Sequence, residues 1–326
     1  MEATSRLPLR TTTPRPTAPA RWRAAVDGGG SGTRVRLWTA EGAAVGEGQA
    51  GPSGLSLGVA PAWAAIAEAL ENACQQAGTT LALAAPHTHL ALGLAGATVA
   101  PLAQAFLAEP LASRFAWLLL TGDGHTALLG AHAGRPGVLL AAGTGSVGEA
   151  WRADGAWATV GGWGFPVDDE GSGGWLGLRT VGLVQRALDG RGAANALARA
   201  ALQQLGGHAA AVQAFCAQAD QTAYARLAPL VFDHAASDAE ASQLLQAAAD
   251  ALAAHARALD PTGQLPLALA GSVAQRLQPW LPPNLRDRLA QPAGDALDGA
   301  HWLLQQSGRH ISGEDGTPPA ASGAAS

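Results

Sequence analysis

The residues best suited to polar chemistry lie in one glycine-rich stretch, 161–176, which reads GGWGFPVDDEGSGGWL. Three adjacent acids, Asp168, Asp169 and Glu170, stand among its glycines. Because glycine allows tight turns and close backbone approach, such a loop offers carboxylates and N–H groups to a polar ligand. An acidic surface turn explains the same pattern equally well, so the stretch alone does not decide between the two.

Two further glycine loops, 27–33 (DGGGSGT) and 143–146 (GTGS), each follow a short apolar strand and precede another. Each is therefore predicted to be the tip of a hairpin. Glycine N–H groups and the hydroxyls of Ser31 and Thr33 are donors that suit phosphate oxygens. The first loop follows neither the Rossmann nor the P-loop pattern, and a turn without a ligand is its alternative explanation.

Asp123 stands at the carboxyl end of a continuous apolar run, 115–120, and opens a predicted helix. In α/β folds, functional groups often lie at this end of a buried strand. Aspartate is also a favoured helix N-cap. As an isolated feature, Asp123 is better explained as a cap.

Histidines at 87, 89, 125 and 132 do not predict a metal site. His87 and His89 form an HxH pair, and His125 and His132 lie near Asp123 in sequence. Zinc needs more ligands in a defined geometry than these pairs supply. We expect His125 to be an exposed helix residue, with contact to a substrate as the alternative.

Composition and charge exclude several kinds of partner. The 326-residue chain has a net charge of −5 and a pI near 6.0, so no nucleic-acid or anionic-membrane partner is expected. Its two cysteines, Cys74 and Cys216, lie far apart without a CxxC motif, which is typical of a reducing cytoplasm. No apolar run reaches the roughly 18 residues of a membrane span. A cytoplasmic protein is therefore expected.

The order of the elements predicts a mixed α/β fold, because strands alternate with helices. The strand–glycine loop–strand arrangement occurs twice, which favours two domains of related topology. Residues 174–260 are predicted to be mostly helical, with a capping box at Ser237–Glu240. The tails at 1–21 and 308–326 are expected to be disordered, since they are rich in small and polar residues.

Five motifs together resemble a known family. They are DGGGSGT (27–33), TGDGHTALLGA (121–131), LLAAGTGSVG (139–148), GGWGFPVDDEGSGGWLG (161–177) and LALAGS (267–272). The segment PAGDALDGA (292–300) is similar to the closing helix of the same family. The chain thus resembles the N-acetylglucosamine/glucosamine kinase group of the BadF/BadG/BcrA/BcrD ATPase family, within the superfamily of sugar kinases, heat-shock ATPases and actin.

The resemblance implies two RNase H-like domains of the actin/hexokinase type around a cleft for ATP and a sugar. The expected divisions are 22–121 for the N-terminal domain, 122–294 for the C-terminal domain with a helical insertion, and 295–307 for a closing helix on the N-terminal domain. It also implies an ATP-dependent transfer of phosphate to the 6-hydroxyl of an amino sugar, with Mg²⁺ as cofactor. A homodimer is a further expectation from the family.

The resemblance also implies roles for individual residues. Asp123 is matched to the catalytic base, and Asp27 to a group that reaches Mg²⁺ through water. ATP is expected to contact Asp27, Gly29, Gly30, Ser31, Thr33, Gly143, Thr144, Gly145, Gly271 and Ser272. The sugar is expected to contact Asp123, Ser146, Val147, Gly162, Trp163, Gly164, Asp169 and Glu170. For Trp163, a place in the core is the alternative.

Three departures from the family pattern leave the sugar open. Val147 and Gly54 stand where some members have asparagine, and Asp168 replaces a common glycine. An asparagine amide can bind the acetamido group of N-acetylglucosamine, so glucosamine or another hexosamine stays an alternative. Two other functions stay open beside a kinase: an ATPase that activates another enzyme, and a sugar sensor without catalysis.

Overall fold

The structure, a computed structural model of the chain, describes residues 9–12 and 20–306. Of the tails predicted to be disordered, residues 9–12, 20 and 21 are described, and the rest lie outside the described residues. Two of these residues form the strand β1 (Arg10–Thr11), which pairs antiparallel with Leu119 and Leu120. The prediction of disorder is wrong for these two residues, because the open edge of a sheet offers N–H and C=O groups to an extended segment.

Contacts divide the chain into two compact units. Unit 1 contains the described residues up to Pro136, Trp151–Trp157 and the described residues from Gln291 onward. Unit 2 contains Gly137–Ala150 and Ala158–Ala290.

Unit 1 contains a six-stranded mixed sheet in the order β1-β6-β5-β2-β3-β4. Its other strands are β2 (Trp22–Gly28), β3 (Thr33–Thr39), β4 (Ala44–Ala50), β5 (Thr88–Leu94) and β6 (Trp117–Thr121). Its helices, numbered through the whole chain, are α1 (Val59–Gln76), α2 (Leu81–Ala84), α3 (Ala100–Leu107), α4 (Asp123–Ala131) and α13 (Ala296–Gln306). Strands β2, β3 and β4 are antiparallel neighbours, whereas β2, β5 and β6 run parallel. The predicted α/β fold is thus confirmed.

The parallel neighbours β5 and β6 are buried along their whole length. Helices α1 and α3 share a hydrophobic core with the sheet, and α4 and α13 contact β5 and β2. The complete burial of β6 explains the continuous apolar run 115–120, because a strand without a solvent side needs no polar residues.

Unit 2 contains a four-stranded sheet in the order β10-β7-β8-β9. Its strands are β7 (Gly137–Ala142), β8 (Ser146–Trp151), β9 (Trp157–Gly161) and β10 (Leu267–Ala270), with the end residues Trp151 and Trp157 counted in unit 1. Its helices are α5 (Gly173–Leu188), α6 (Ala196–Gln204), α7 (Ala209–Gln218), α8 (Gln221–Ala225), α9 (Ala228–His234), α10 (Ala239–Leu259), α11 (Ser272–Leu277) and α12 (Pro283–Arg286). The small residues of α10 pack with α5 and β7 in one core. No helix in the described ranges is long and apolar enough to cross a membrane.

Helix α4 lies in unit 1, although the sequence placed the domain boundary just before it, at residue 122. Two glycines explain the difference. A Cβ on Gly130 of α4 would collide with the carbonyl oxygen of Asp295, and a Cβ on Gly299 of α13 would collide with that of Thr126. Glycine thus lets the two helices touch backbone to backbone, which keeps α4 with α13 in unit 1.

Helix α10 begins one residue later than its predicted capping box. Asp238, and not Ser237, is the N-cap, and its Oδ1 accepts from the N–H groups of Glu240 at 3.0 Å and Ala241 at 3.4 Å. Its Oδ2 accepts from the N–H of Leu197 in α6 at 2.8 Å. The two carboxylate oxygens of Asp238 thus accept from N–H groups at the starts of two helices, whereas serine has a single side-chain oxygen.

Candidate functional site

The first glycine turn, residues 27–33, lies in unit 1; backbone hydrogen bonds hold its base, and its tip is open. The Gly29 N–H donates to the Gly32 carbonyl at 3.0 Å, and the Gly29 carbonyl accepts from the Ser53 N–H at 3.1 Å. A Cβ on Gly29 or Gly30 would meet no atom within 4 Å, and Ser31 is exposed. The tip therefore has room for a ligand against its backbone.

Thr33 does not face outward as the predicted phosphate contact requires. Its side chain is 2% exposed, and its hydroxyl donates to the Gly51 carbonyl at 2.7 Å. The hydroxyl oxygen of Thr33 also lies 2.7 Å from the hydroxyl oxygen of Ser53. Thr33 thus ties the hairpin to the turn at residues 51–54, and Ser31 keeps the exposed hydroxyl of this loop.

Asp27 is held by the residue opposite it across the β2–β3 ladder. Its Oδ2 accepts from Arg34 at 2.7 and 3.1 Å, and Arg34 also pairs with Asp295 at 3.1 Å. The Asp27 side chain is 24% exposed. One carboxylate fits a Mg²⁺ ion that takes most of its ligands from phosphates and water. Among the described residues no group of three His, Cys, Asp or Glu side chains could hold a metal ion alone.

Asp123 is the first residue of α4, and Gly122 occupies the N-cap position without a side-chain cap. The interpretation of Asp123 as the cap is therefore wrong. Burial raises the pKa of Asp123; the N–H of Gly124 opposes this rise, and the charge of Asp27 adds to it. A partly buried carboxylate with a raised pKa is suited to accept a proton.

His125 is 3% exposed, so the expected exposed helix histidine is wrong. Its Nδ1 lies 2.9 Å from the hydroxyl of Thr121, and its ring meets Trp157 edge-on at 5.6 Å. Burial lowers the pKa of His125 to about 4, so the ring is neutral near pH 7. His125 therefore belongs to the packing beneath the start of α4.

The second glycine turn, in unit 2, is joined to the start of α5. The Gly143 N–H donates to the Gly145 carbonyl at 2.9 Å. In turn, the carbonyls of Gly143 and Thr144 accept from Gly173 and Gly174 at 2.7 and 3.0 Å. Backbone carbonyls of the turn thus satisfy N–H groups of the first turn of the helix, which have no partner within it.

Asp169 links the acidic loop, residues 161–170, to this turn. It is 6% exposed, and its backbone is left-handed with φ 62°. Its Oδ1 accepts from the Ser146 N–H at 2.8 Å, and its Oδ2 accepts from Gln221 Nε2 at 2.7 Å. Both oxygens are thus engaged by the protein, whereas Glu170 is exposed. Gln221 carried no signal in the sequence, because it lies in a helical segment far from the glycine motifs.

The loop between Gly161 and Asp168 presents large apolar side chains to solvent. Trp163 is 83% exposed and Val167 is 93% exposed, so the alternative that places Trp163 in the core is excluded. The Trp163 N–H donates to Asp168 Oδ2 at 2.7 Å, which gives Asp168 a role in shaping the loop. Gly162 and Gly164 both have left-handed φ, 74° and 98°.

The remaining sugar-site candidates are less open. The Ser146 side chain is 4% exposed, and its hydroxyl donates to the Glu170 carbonyl at 2.7 Å. Val147 is half-buried, and a Cβ on Gly162 would lie 3.2 Å from its Cγ2. Position 147 therefore places an apolar group next to the loop backbone.

A cavity of about 170 Å³ in unit 2 brings the second glycine turn together with the start of α11. Arg276 lies 4.0 Å above the ring of Phe232 and pairs with Asp233 at 3.2 Å. The residues lining the cavity are Gly143, Thr144, Gly173, Ala225, Ala228, Pro229, Phe232, Ser272, Val273 and Arg276. Gly271, just before Ser272, has φ 84°, and a Cβ there would collide with the carbonyl oxygen of Ala142.

Residues 25–289 match the model of the BadF/BadG/BcrA/BcrD ATPase family. The chain belongs to this family. It is 34% identical over 276 residues to the glucosamine kinase GspK of Vibrio cholerae, which covers 84% of this chain and 92% of that protein.

Two solved structures of proteins titled "Putative N-acetylglucosamine Kinase" are similar to this family member. The protein from Chromobacterium violaceum is 46% identical, with a TM-score of 0.84 over 89% of this chain and 100% of that chain. The protein from Porphyromonas gingivalis is 21% identical, with a TM-score of 0.67 over 88% and 99%. The second likeness shows the fold alone.

Within each unit, the structure groups most of the predicted residues of this ATPase-family chain. Unit 1 holds the first turn, Asp27 and Asp123, and the charge of Asp27 reaches Asp123. Unit 2 holds the second turn with Ser272 at one cavity, and the acidic loop bound to Ser146. Sequence reasoning missed four residues that support these groups: Arg34, Ser53, Gln221 and Arg276.

Proposed function

We propose that this protein is an ATP-dependent amino-sugar kinase that phosphorylates the 6-hydroxyl of glucosamine or N-acetylglucosamine. The observation that carries the proposal is Asp123, a carboxylate of raised pKa at the carboxyl end of β6 and next to the charge of Asp27. The likeness to a glucosamine kinase over most of both chains supports the same reaction.

Asp123 acts in this proposal as the general base that takes the proton of the sugar hydroxyl. Phosphoryl transfer depends mainly on positioning and on neutralising charge, so one base and a Mg²⁺-bound nucleotide suffice. A positioned base contributes roughly 10²–10⁴-fold to the rate. Asp27 would reach Mg²⁺ through water, with Arg34 holding its carboxylate in place.

ATP is proposed to contact both glycine turns. In unit 1 the open tip at Gly29, Gly30 and Ser31 offers N–H and hydroxyl donors to phosphate oxygens. In unit 2 the cavity at Thr144 and Ser272 suits one ring system, since it is smaller than the roughly 300–1,000 Å³ of sites for drug-sized ligands. The Arg276–Phe232 stack offers a flat surface to a nucleobase.

The sugar is proposed to meet the loop that holds Trp163 and Glu170. An exposed indole offers an apolar face to a sugar ring, and an exposed carboxylate accepts hydroxyl protons. Asp169 would act on the sugar through Ser146, whose backbone it fixes. Val147 supplies no amide for an acetamido group, so glucosamine and N-acetylglucosamine stay equal candidates.

Cys74 gives no support to the role of an enzyme-activating ATPase with a metal cluster. Cys74 is buried, and burial raises its pKa to about 11, so its thiolate form is scarce at pH 7. Because the thiolate is the metal ligand, Cys74 is poorly suited to hold iron. The homodimer expected from the family stays a prediction.

The deciding experiment measures ADP release from Mg·ATP by the full chain, with glucosamine, N-acetylglucosamine, N-acetylmuramic acid and glucose each as acceptor. Strong dependence on one amino sugar supports the kinase and identifies its substrate. ADP release that ignores the sugar, or none at all, contradicts it and favours an ATPase or a sensor. A 6-deoxy analogue of the preferred sugar is the matched control, because it should compete for binding and yield no phosphorylated product.

A further inference from the structure

His255 of α10 is a buried histidine that none of the motifs includes. Its side chain is 8% exposed, and its Nδ1 is buried without a hydrogen-bond partner among the described residues. Buried polar atoms nearly always have a hydrogen-bond partner, so the unpartnered Nδ1 is unusual. A neutral imidazole tolerates this place best, because an unpaired ring nitrogen that carries no proton is an uncharged acceptor.

The ring of His255 lies directly against the start of the acidic loop. A Cβ on Gly161 would lie 3.0 Å from His255 Cε1, and a Cβ on Gly148 would lie 3.5 Å from His255 Cβ. Gly161 therefore lets the loop close over the imidazole, while Gly148 of β8 lies in ordinary contact with the Cβ of the same side chain. Gly161 has φ 75°, so the chain turns at this contact. The position of the ring thus limits how the loop leaves β9.

The charged groups that face His255 are acidic. Asp168 and Glu170 of the loop act electrostatically on the ring and favour its charged form, although burial outweighs them and lowers the pKa of His255 below its ordinary value of 6.5. On β8 the charged residue is Glu149, whose Oε2 accepts from Thr159 at 2.8 Å. A proton on Nδ1 would have no acceptor in the present packing, while two carboxylates lie within electrostatic reach.

We infer that neutral His255 is a positioning residue for the loop of residues 161–170, and that its protonation releases this loop. The charged ring needs a partner, and Asp168 and Glu170 are the groups that a shifted loop can bring to it. Asp168 then gives up its bond to the Trp163 N–H, which shapes the loop at present. The inference rests on the proposed function where it concerns the sugar, because the loop carries proposed sugar contacts.

The direction of the pH effect follows from linkage. With the loop packed on it, His255 binds a proton less well than with the loop released. The contact between loop and ring is therefore fully stabilised above pH 6.5 and weakens as the pH falls below this value. If the sugar binds only the packed state, its KM rises by up to about tenfold for each pH unit below that value. The turnover number changes less, since His255 contacts no reacting atom in this proposal.

The first test measures hydrogen exchange of the peptide that contains residues 161–170, in the full chain without ligands, at pH 5.5 and 7.5 and corrected for intrinsic rates. We expect the peptide to lose protection at pH 5.5 in the unchanged protein and to show no pH dependence in His255→Asn and His255→Gln. His87→Gln, which removes an exposed histidine of unit 1, is the control and should behave as the unchanged protein. Equal protection at both pH values in the unchanged protein would overturn the inference.

The second test measures the KM of the preferred sugar and of Mg·ATP across the same pH range. We expect the sugar KM to rise toward pH 5.5 in the unchanged protein and in His87→Gln, with a flat profile in the two His255 variants. A rise that persists in both His255 variants assigns the effect to another group and overturns the inference. N-acetylglucosamine is the better probe if it is a substrate, because it carries no amine to titrate. Absence of all kinase activity would contradict the proposed function alone, since the exchange test needs no substrate.

Discussion

The carboxylate of Asp169 lies 2.8 Å from the backbone nitrogen of Ser146, and these residues are 23 positions apart in sequence. This one bond joins the acidic loop to the second glycine turn. The other carboxylate oxygen accepts from Gln221, whose amide also donates to the Thr144 carbonyl at 3.2 Å. The carboxylate of Asp169 therefore fixes the Ser146 backbone and the Gln221 side chain, and both of its oxygens accept hydrogen bonds from this chain.

We expect Asp169→Ala to lower the free energy of unfolding of unit 2 by about 2–4 kcal/mol. The change leaves the buried Ser146 N–H unpaired, which costs about 1–3 kcal/mol, and it removes the short polar side chain that makes a left-handed backbone tolerable, which costs about 1 kcal/mol more. Asp169→Asn should cost less, since asparagine tolerates this φ and keeps one acceptor. Urea denaturation measures both.

Glu170→Gln is the control for this prediction, because Glu170 is the exposed neighbour of Asp169. It should leave the denaturation midpoint unchanged. An Asp169→Ala protein as stable as Glu170→Gln would show that the two hydrogen bonds contribute little.

We expect Asp123→Asn to abolish most turnover and to raise the thermal stability. The raised pKa of Asp123 means that the folded protein disfavours its ionised form, so a neutral amide removes an unfavourable charge at pH 7. The loss of the base lowers kcat by roughly 10²–10⁴-fold. Turnover assays and thermal unfolding check the two effects. A stable variant with an unchanged rate would remove Asp123 from the mechanism.

The pH profile of kcat gives a second check on Asp123. A base loses activity as the pH falls through its pKa, and this acid limb should lie above the usual aspartate range of about 3.9. Asp27→Asn removes a negative charge that raises the pKa of Asp123, so it should move the limb to lower pH. A limb that moves to higher pH would contradict this assignment.

The elements and the glycine turns could be predicted from sequence because their signals are local. Glycine between apolar strands indicates a turn, and a fully apolar run indicates a covered strand such as β6. The orientation of individual side chains was less accessible. Thr33 is turned inward by Ser53, and Asp169 by Gln221, 52 residues away. Such partners have no pattern of their own, so motif reasoning gave both side chains to ligands.

The boundary at residue 122 failed for a related reason. The contact of α4 with α13 depends on Gly130 and Gly299, which are far apart in sequence and look like ordinary helix glycines. For His125, the sequence predicted an exposed helix residue. In the structure its ring packs against Trp157, a residue of the β8–β9 hairpin that lies 32 positions later in the chain and is counted in unit 1.

A pair of glycine substitutions tests the contact of α4 and α13. Gly299→Ala should lower the free energy of unfolding by about 1–3 kcal/mol, because its Cβ would overlap the Thr126 carbonyl oxygen. Gly182→Ala in α5 should raise it by about 0.5–1 kcal/mol, because no atom lies within 4 Å of the added Cβ and alanine is the better helix former. Equal effects of the two changes would contradict the close contact.

Phe232→Leu tests the nucleobase role of the cavity in unit 2. Leucine keeps an apolar side chain beneath Arg276 but removes the flat ring, and base–aromatic stacking is worth about 1–3 kcal/mol per base. We expect the KM of Mg·ATP to rise by about tenfold and the sugar KM to stay the same. Phe215→Leu is the matched control, because Phe215 packs edge-on against Tyr224 and does not line the cavity. If both variants raise the KM of ATP equally, the cause is a general loosening of unit 2; if neither does, the base binds elsewhere.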